Sequence, residues 1–206
     1  MTVRLTAQNV TLWRGERCLC RDLHLNLATG EALQLTGANG SGKTSLLRAL
    51  TGLGRVDEGE VSWDGAPLRR SEAFLSARIY LAHANGIKLH LTPRENFALY
   101  QSLGGYAEGL TADSAMERAG LVRQAGLPCG LLSMGQRRRV ALTRLFDTRA
   151  DLWLLDEPLT SLDADGIALV AELVQAHLKR GGLAVFATHQ PLPGIAIRKL
   201  ALGGAA

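Results

Sequence analysis

Residues 37–44 read Gly37-Ala38-Asn39-Gly40-Ser41-Gly42-Lys43-Thr44. Glycines at that spacing, closed by a lysine and a hydroxyl, suit the holding of a phosphate chain. Backbone N–H groups can curl around phosphate oxygens where no side chain intervenes, and a helix starting at the end of the loop adds the positive end of its dipole. Lys43 would reach the β- and γ-phosphates, and Thr44 would offer its hydroxyl to Mg2+. A second pair, Asp156-Glu157, ends the apolar run Leu152-Trp153-Leu154-Leu155. Asp156 suits the shell of the metal ion. Glu157, one residue further on, suits the attacking water, because a general base must reach the water it polarises. Without a phosphate loop upstream, the same pair would read as a solvated acidic turn before Pro158.

The elements that must position these groups are legible around them. Glu31 to Thr36 is a short strand entering the loop, and Thr44 to Thr51 is a helix stopped by Gly52. Glu60-Val61-Ser62-Trp63 meets Asp64-Gly65, a favoured hairpin dipeptide, so antiparallel strands lie beside the first unit. From about Thr92 to Phe146 the pattern is helical, with Pro93 at a helix start, a break at Gly104-Gly105 and a second helical run after Gln136. The continuous apolar runs at 151–155 and 183–187 predict strands buried on both faces of a sheet, where ligands gather at the carboxyl ends. Between them one helix starts near Asp165, carries Ile167, Val170, Val174 and Leu178 at helical spacing, and stops at Gly181-Gly182. The expected fold class is α/β, with a mixed sheet. One domain spans residues 1–206, its core formed by 1–84 and 150–206 and its helical insert by about 85–149.

Composition narrows the function classes. With 206 residues and 47% of them hydrophobic, the chain can bury a sizeable core, which excludes a disordered or fibrous protein. The formal net charge of +4 at 20% charged residues gives nucleic-acid binding no support. The 3 cysteines, Cys18, Cys20 and Cys129, suit neither a disulfide framework nor a four-ligand zinc site, and they point to reduced thiols in a cytosolic setting. No secretory leader is expected at the N-terminus. The uncharged stretch from Gly181 to Ile197 is broken by Pro191 and Pro193, so no membrane span of about 20 apolar residues is expected either.

The order of motifs resembles the ATP-binding cassette family. Leu132-Ser133-Met134-Gly135-Gln136 looks like its signature and precedes the Asp156 strand, Ser161-Leu162-Asp163 looks like its D-loop, and His189 after a strand looks like its switch histidine. The resemblance covers essentially the whole chain. It implies a P-loop NTPase fold with a RecA-like core, an antiparallel β-subdomain and an inserted, signature-bearing helical subdomain. ATP and Mg2+ are the implied cofactors. Glu157, His189 and His83 are the implied catalytic residues, Thr44 and Asp156 the metal-binding ones. Residues 37–44 together with Ser133, Gly135, Gln136 and Asp163 are the implied nucleotide-binding set. One phosphate loop and one signature per chain imply a second copy as partner, in an ATP-dependent two-fold homodimer whose signature helix caps the ATP of the opposite subunit. Integral membrane transporter subunits are the further implied partners, placing the chain peripherally on the cytoplasmic face of the inner membrane.

Within the family the likeness is to ATP-binding subunits of heme exporters used in cytochrome c maturation. The small size, Leu81-Ala82-His83, and Thr188-His189-Gln190-Pro191-Leu192 carry it. An ATPase of another small-substrate transporter is the alternative, as is a soluble mechanical cassette acting on nucleic acid or ribosomes. The latter usually brings a long coiled coil or a second cassette, which 206 residues do not hold.

Two positions depart from the family pattern. Met134 replaces a common glycine, which would crowd the phosphate if the backbone there needed a positive φ. His83 stands where a glutamine usually touches Mg2+ and water; a neutral imidazole can also accept from a water or donate to one. Three further readings are bland. Arg137-Arg138-Arg139 is expected to be solvated or ion-paired. His24, His90, His177 and Cys129 are expected to be surface or core residues, with no spacing for a heme site. Trp13 lies about one residue out of register with the aromatic that stacks on adenine in the family, and a core strand position is its competing reading.

Overall fold

The computed structural model describes residues 2–68, 71–106 and 109–203. At its centre are β7 (Leu152–Asp156) and β8 (Leu183–Ala187), buried along their whole length. Successive strand residues point to opposite faces, and here both faces are covered. Leu152, Leu154, Leu183 and Val185 enter one core, and Trp153, Leu155, Ala184 and Phe186 the other. A continuous apolar run is what such a sheet requires. Flanking strands are β3 (Ala32–Thr36), β6 (Arg78–Leu81) and β9 (Arg198–Ala201), and the sheet is parallel throughout in the order β6-β7-β8-β3-β9.

The first core lies between this sheet and a second, antiparallel one. β1 (Val3–Arg14), β2 (Arg17–Ala28), β4 (Glu58–Trp63) and β5 (Ala66–Pro67) form it in the order β2-β1-β4-β5. The hairpin dipeptide Asp64-Gly65 takes positive φ at both positions, the turn whose twist matches that of its strands. Antiparallel and parallel strands thus occupy separate sheets. Helix α1 (Lys43–Leu50) buries Leu46, Leu47 and Leu50 in the same core, each contributing roughly 2–3 kcal/mol by transfer from water.

Helices cover the other face. After α2 (Glu72–Ala77), whose Phe74 joins the first core, come α3 (Pro93–Ser102), α4 (Ala112–Ala119) and α5 (Met134–Leu142), which fall between residues 85 and 149 and send Phe97, Met116, Val140 and Leu142 into the second core. Their starts are written locally. Thr92 and Glu95 form a capping box ahead of Pro93, and Thr111 caps α4. The long helix α6 (Ala164–Lys179), capped by Asp163, lays Val170 and Val174 on the same core. Near its end, buried His177 stacks on Trp153 with ring centroids 4.0 Å apart. No helix among the described residues is long and apolar enough to cross a membrane.

Candidate active site

The loop between β3 and α1 is shaped by close backbone approach. Gly37 has φ 139°, and a Cβ there would lie 2.4 Å from the carbonyl oxygen of Leu202 and 2.7 Å from Ser41 Oγ, so no side chain fits. Gly42 is the N-cap of α1, left-handed and with no side chain on the helix's first N–H groups. Those donors stay open for an anion. The Lys43 ammonium is folded back over the loop, donating to the carbonyls of Gly37 at 2.7 Å and Ala38 at 3.0 Å. Ser41 Oγ is buried without a partner among the described residues.

Beside the loop is a cleft of about 310 Å3 lined by Arg14, Asn39, Gly40, Lys43, Thr44, His83, Asp156 and Glu157. The structure therefore brings together groups from 14 to 157: the end of β1, the phosphate loop and the start of α1, the loop after β6, and the end of β7 with the residue beyond it. Thr44 Oγ1 donates to Asp156 Oδ1 at 3.2 Å. Asp156 is 2% exposed and its Oδ2 has no hydrogen-bond partner among the described residues. Burial raises its pKa, against the Thr44 hydrogen bond and the nearby His83, Arg138 and Lys43. A carboxylate oxygen buried without a donor is costly unless a cation meets it. Paired with a hydroxyl on the same side, this hard oxygen set fits Mg2+.

Glu157 sits directly beyond β7 in a left-handed conformation, φ 48°, which costs a non-glycine residue of order 1 kcal/mol. Both ends of the residue are held. Its N–H donates to the Ala187 carbonyl at 2.7 Å, and its carbonyl accepts from Arg138 Nη2 at 2.7 Å. His189, just after β8, places Nε2 4.0 Å from Glu157 Oε1.

Other sequence-predicted residues lie outside this cleft. Ser133 is the N-cap of α5, its hydroxyl accepting from the Gln136 N–H while the Gln136 side chain accepts from the Ser133 N–H. Gly135 belongs to the first turn, so its N–H has no intrahelical acceptor. Met134 begins the helix without a positive φ and is 62% exposed, so the crowding expected from a left-handed backbone does not arise. Asp163 is committed elsewhere. It caps α6 through Gly166 and pairs with Arg139 at 2.6 Å, which holds its carboxyl below the usual range.

Arg139 is ion-paired as expected, and Arg137 donates to the carbonyls of Cys129 and Gly130. Arg138 is neither solvated nor ion-paired: it is 3% exposed, with all its bonds to carbonyl and amide oxygens. Within an arginine triplet it looked solvated. Its signal is positional, since Ala141 and Leu142, three and four residues on, share its helix face and are buried. His177 and Cys129 are buried, and His24 and His90 are exposed. Trp13 is 41% exposed, not a core residue, and faces a separate cleft with Ser45, Arg48 and Leu53.

A phosphate loop on a parallel sheet, with Asp156 facing its threonine, defines a P-loop protein that binds nucleoside triphosphates. The profile of the ABC transporter family matches residues 20–160. The chain belongs to that family, whose ATP-binding proteins are ATPases. It is 46% identical over 203 residues to the Salmonella typhi protein named cytochrome c biogenesis ATP-binding export protein CcmA, covering 97% of both chains. A protein of the same name from Yersinia pestis is 43% identical over 201 residues, covering 96% of this chain and 92% of its own. Among solved structures, an ABC transporter ATP-binding protein from Pyrococcus furiosus superposes with a TM-score of 0.80 at 20% identity, covering 97% of each chain, and shares the fold.

Proposed function

We propose that the chain is the ATP-hydrolysing subunit of a membrane export complex of the heme-exporter type, serving cytochrome c biogenesis. The convergence of Lys43, Thr44, Asp156, Glu157 and His83 on one cleft carries the hydrolytic part of this reading. Relatives named for cytochrome c biogenesis and export, matched over nearly the whole chain, support the rest.

In this reading the loop N–H groups and Lys43 bind the phosphates of ATP. Thr44 and Asp156 would hold Mg2+, which when bound neutralises charge on the phosphate oxygens. Glu157, on its pinned turn, orients and polarises the attacking water, and His189 beside it reaches toward the γ-phosphate. His83, on the exposed loop after β6, contacts water in the same cleft and passes the state of the site toward membrane subunits. Ser133 and Gly135 donate to the ATP of a second copy, since both lie outside their own chain's cleft. The working position is peripheral, on the cytoplasmic face of the inner membrane against integral transporter subunits. Residues 1–206 act as one ATPase domain with the helical subdomain at about 85–149.

Lys43→Ala and Glu157→Gln separate the two halves of the mechanism. Lys43→Ala should weaken ATP binding by tenfold or more, about 1.4 kcal/mol at least. Glu157→Gln should bind ATP as the parent does while turnover falls roughly 10²-fold or more, the scale of a lost general base. Equilibrium binding of a fluorescent ATP analogue and phosphate release measure these. Parental turnover by Glu157→Gln overturns the assignment.

A further inference from the structure

We propose that Arg138 is a positioning residue for hydrolysis: one buried guanidinium sets the Glu157 turn and the His83 loop in a common register. The inference rests on the functional reading above. Nε donates to the Pro158 carbonyl at 3.2 Å. Nη1 donates to the Ala82 carbonyl at 3.2 Å and to Asn85 Oδ1 at 2.9 Å. Nη2 donates to the carbonyls of Asp156 at 3.0 Å and Glu157 at 2.7 Å. A guanidinium has five N–H groups in a fixed fork, and each has one acceptor here.

The acceptors fall in two groups. Three are consecutive carbonyls of the turn that carries Asp156 and Glu157. The other two flank the cleft-lining His83: the carbonyl immediately before it and the amide two residues after it. Among the described residues, Arg138 is thus a hydrogen-bonded link between a turn and a loop that are also joined through the β6–β7 pairing, which ends at Leu81 and Leu155. It also makes the left-handed backbone of Glu157 tenable, since it fixes the carbonyl while Ala187 fixes the N–H. Burial lowers the guanidinium pKa to about 10, so it keeps its charge at neutral pH. Lysine could not replace this fork, because an ammonium brings three donors from a single point. Arg138 also lies on α5, the helix that Ser133 and Gln136 begin. A displacement of that helix is therefore delivered to both catalytic elements together.

The test compares Arg138→Lys, Asn85→Ala and their combination, with Glu157→Gln in parallel, in the full chain with ATP and Mg2+. Arg138→Lys should lower kcat by roughly 10–100-fold, the scale of a misplaced reacting group, and leave KM and analogue binding within about twofold because the phosphate loop is untouched. Asn85→Ala should lower kcat by about threefold with an unchanged unfolding midpoint, and the double variant should be no worse than Arg138→Lys, as expected for two ends of one bridge. Parental turnover by Glu157→Gln overturns the functional reading and this inference with it. An inactive Glu157→Gln beside folded Arg138→Lys and Asn85→Ala chains of parental kcat overturns this inference alone. If Arg138→Lys does not fold, Asn85→Ala decides: parental kcat overturns the proposal, and a fall without loss of stability upholds it.

Discussion

Gly135 illustrates how a single residue can answer to two constraints. A Cβ there would lie 2.5 Å from the carbonyl oxygen of Ser161, itself left-handed at φ 65°. The first turn of α5 therefore packs directly on the backbone of the loop after β7. Gly135→Ala must push these apart, and we expect turnover to fall about tenfold or more, since small displacements of reacting groups are costly. Binding of an ATP analogue to the single chain should stay within about twofold. Phosphate release and equilibrium binding on one preparation check both parts, and parental turnover would show that the contact can relax. The need for an N–H at Gly135 is readable from its place in a motif. The steric need is not, because the carbonyl that imposes it belongs to a residue 26 positions on.

At the scale of elements, α6 and β7 meet through His177. Its Nδ1 accepts from Arg180 and its Nε2–H donates to the Leu183 carbonyl, so the ring is held neutral between a cation and an oxygen. Burial lowers its pKa to about 4. Above the unfolded value, near 6.5, the ring is neutral in both states and the full stability is present. As pH falls from 6.5 toward 4 only the unfolded chain takes up the proton, so stability is lost across that window and no further below it. Between pH 7 and 5 the loss should be about 2 kcal/mol from this residue. Urea unfolding at the two pH values measures it, and His177→Gln should flatten the difference. The legibility of elements follows the same physics. β7, β8 and α6 are plain in the sequence because burial on two faces demands an unbroken apolar run, and burial on one helical face a 3.6-residue period. The parallel sheet's edge strand β6 and the six-residue α2 are too short for a period to register. In β1 and β2 the left-handed Asn9 and Asp22 interrupt the alternation with register shifts. The candidate site was legible wherever it is a local string, as in the phosphate loop, and illegible at Arg138, whose partners come from two distant segments.

For the molecule as a whole, the phosphate loop at residues 37–44 and the start of α5 at Met134 lie far apart in sequence and do not share a cleft. Ser133, Gly135 and Gln136 do not line the cleft that holds Lys43 and Asp156. In the proposed arrangement, an ATP bound there would leave its outward side for a second copy to cover. We expect the Glu157→Gln chain to associate in ATP and to elute larger than without nucleotide, because a ligand shared by two chains stabilises their contact. Size-exclusion chromatography with light scattering reads this directly. A chain that stays monomeric with ATP, even with its membrane partner present, contradicts the two-fold arrangement.

The backward fold of Lys43 has a consequence for which ligands the chain can tell apart. The ammonium has three N–H donors and gives two of them to carbonyls of its own loop, which fixes it over the loop and leaves one for a ligand oxygen. In the proposed mode of binding, where Lys43 meets the β- and γ-phosphates, a nucleoside or a monophosphate would end short of that donor. Selection by phosphate-chain length would then begin at the loop itself, ahead of any contact with the base.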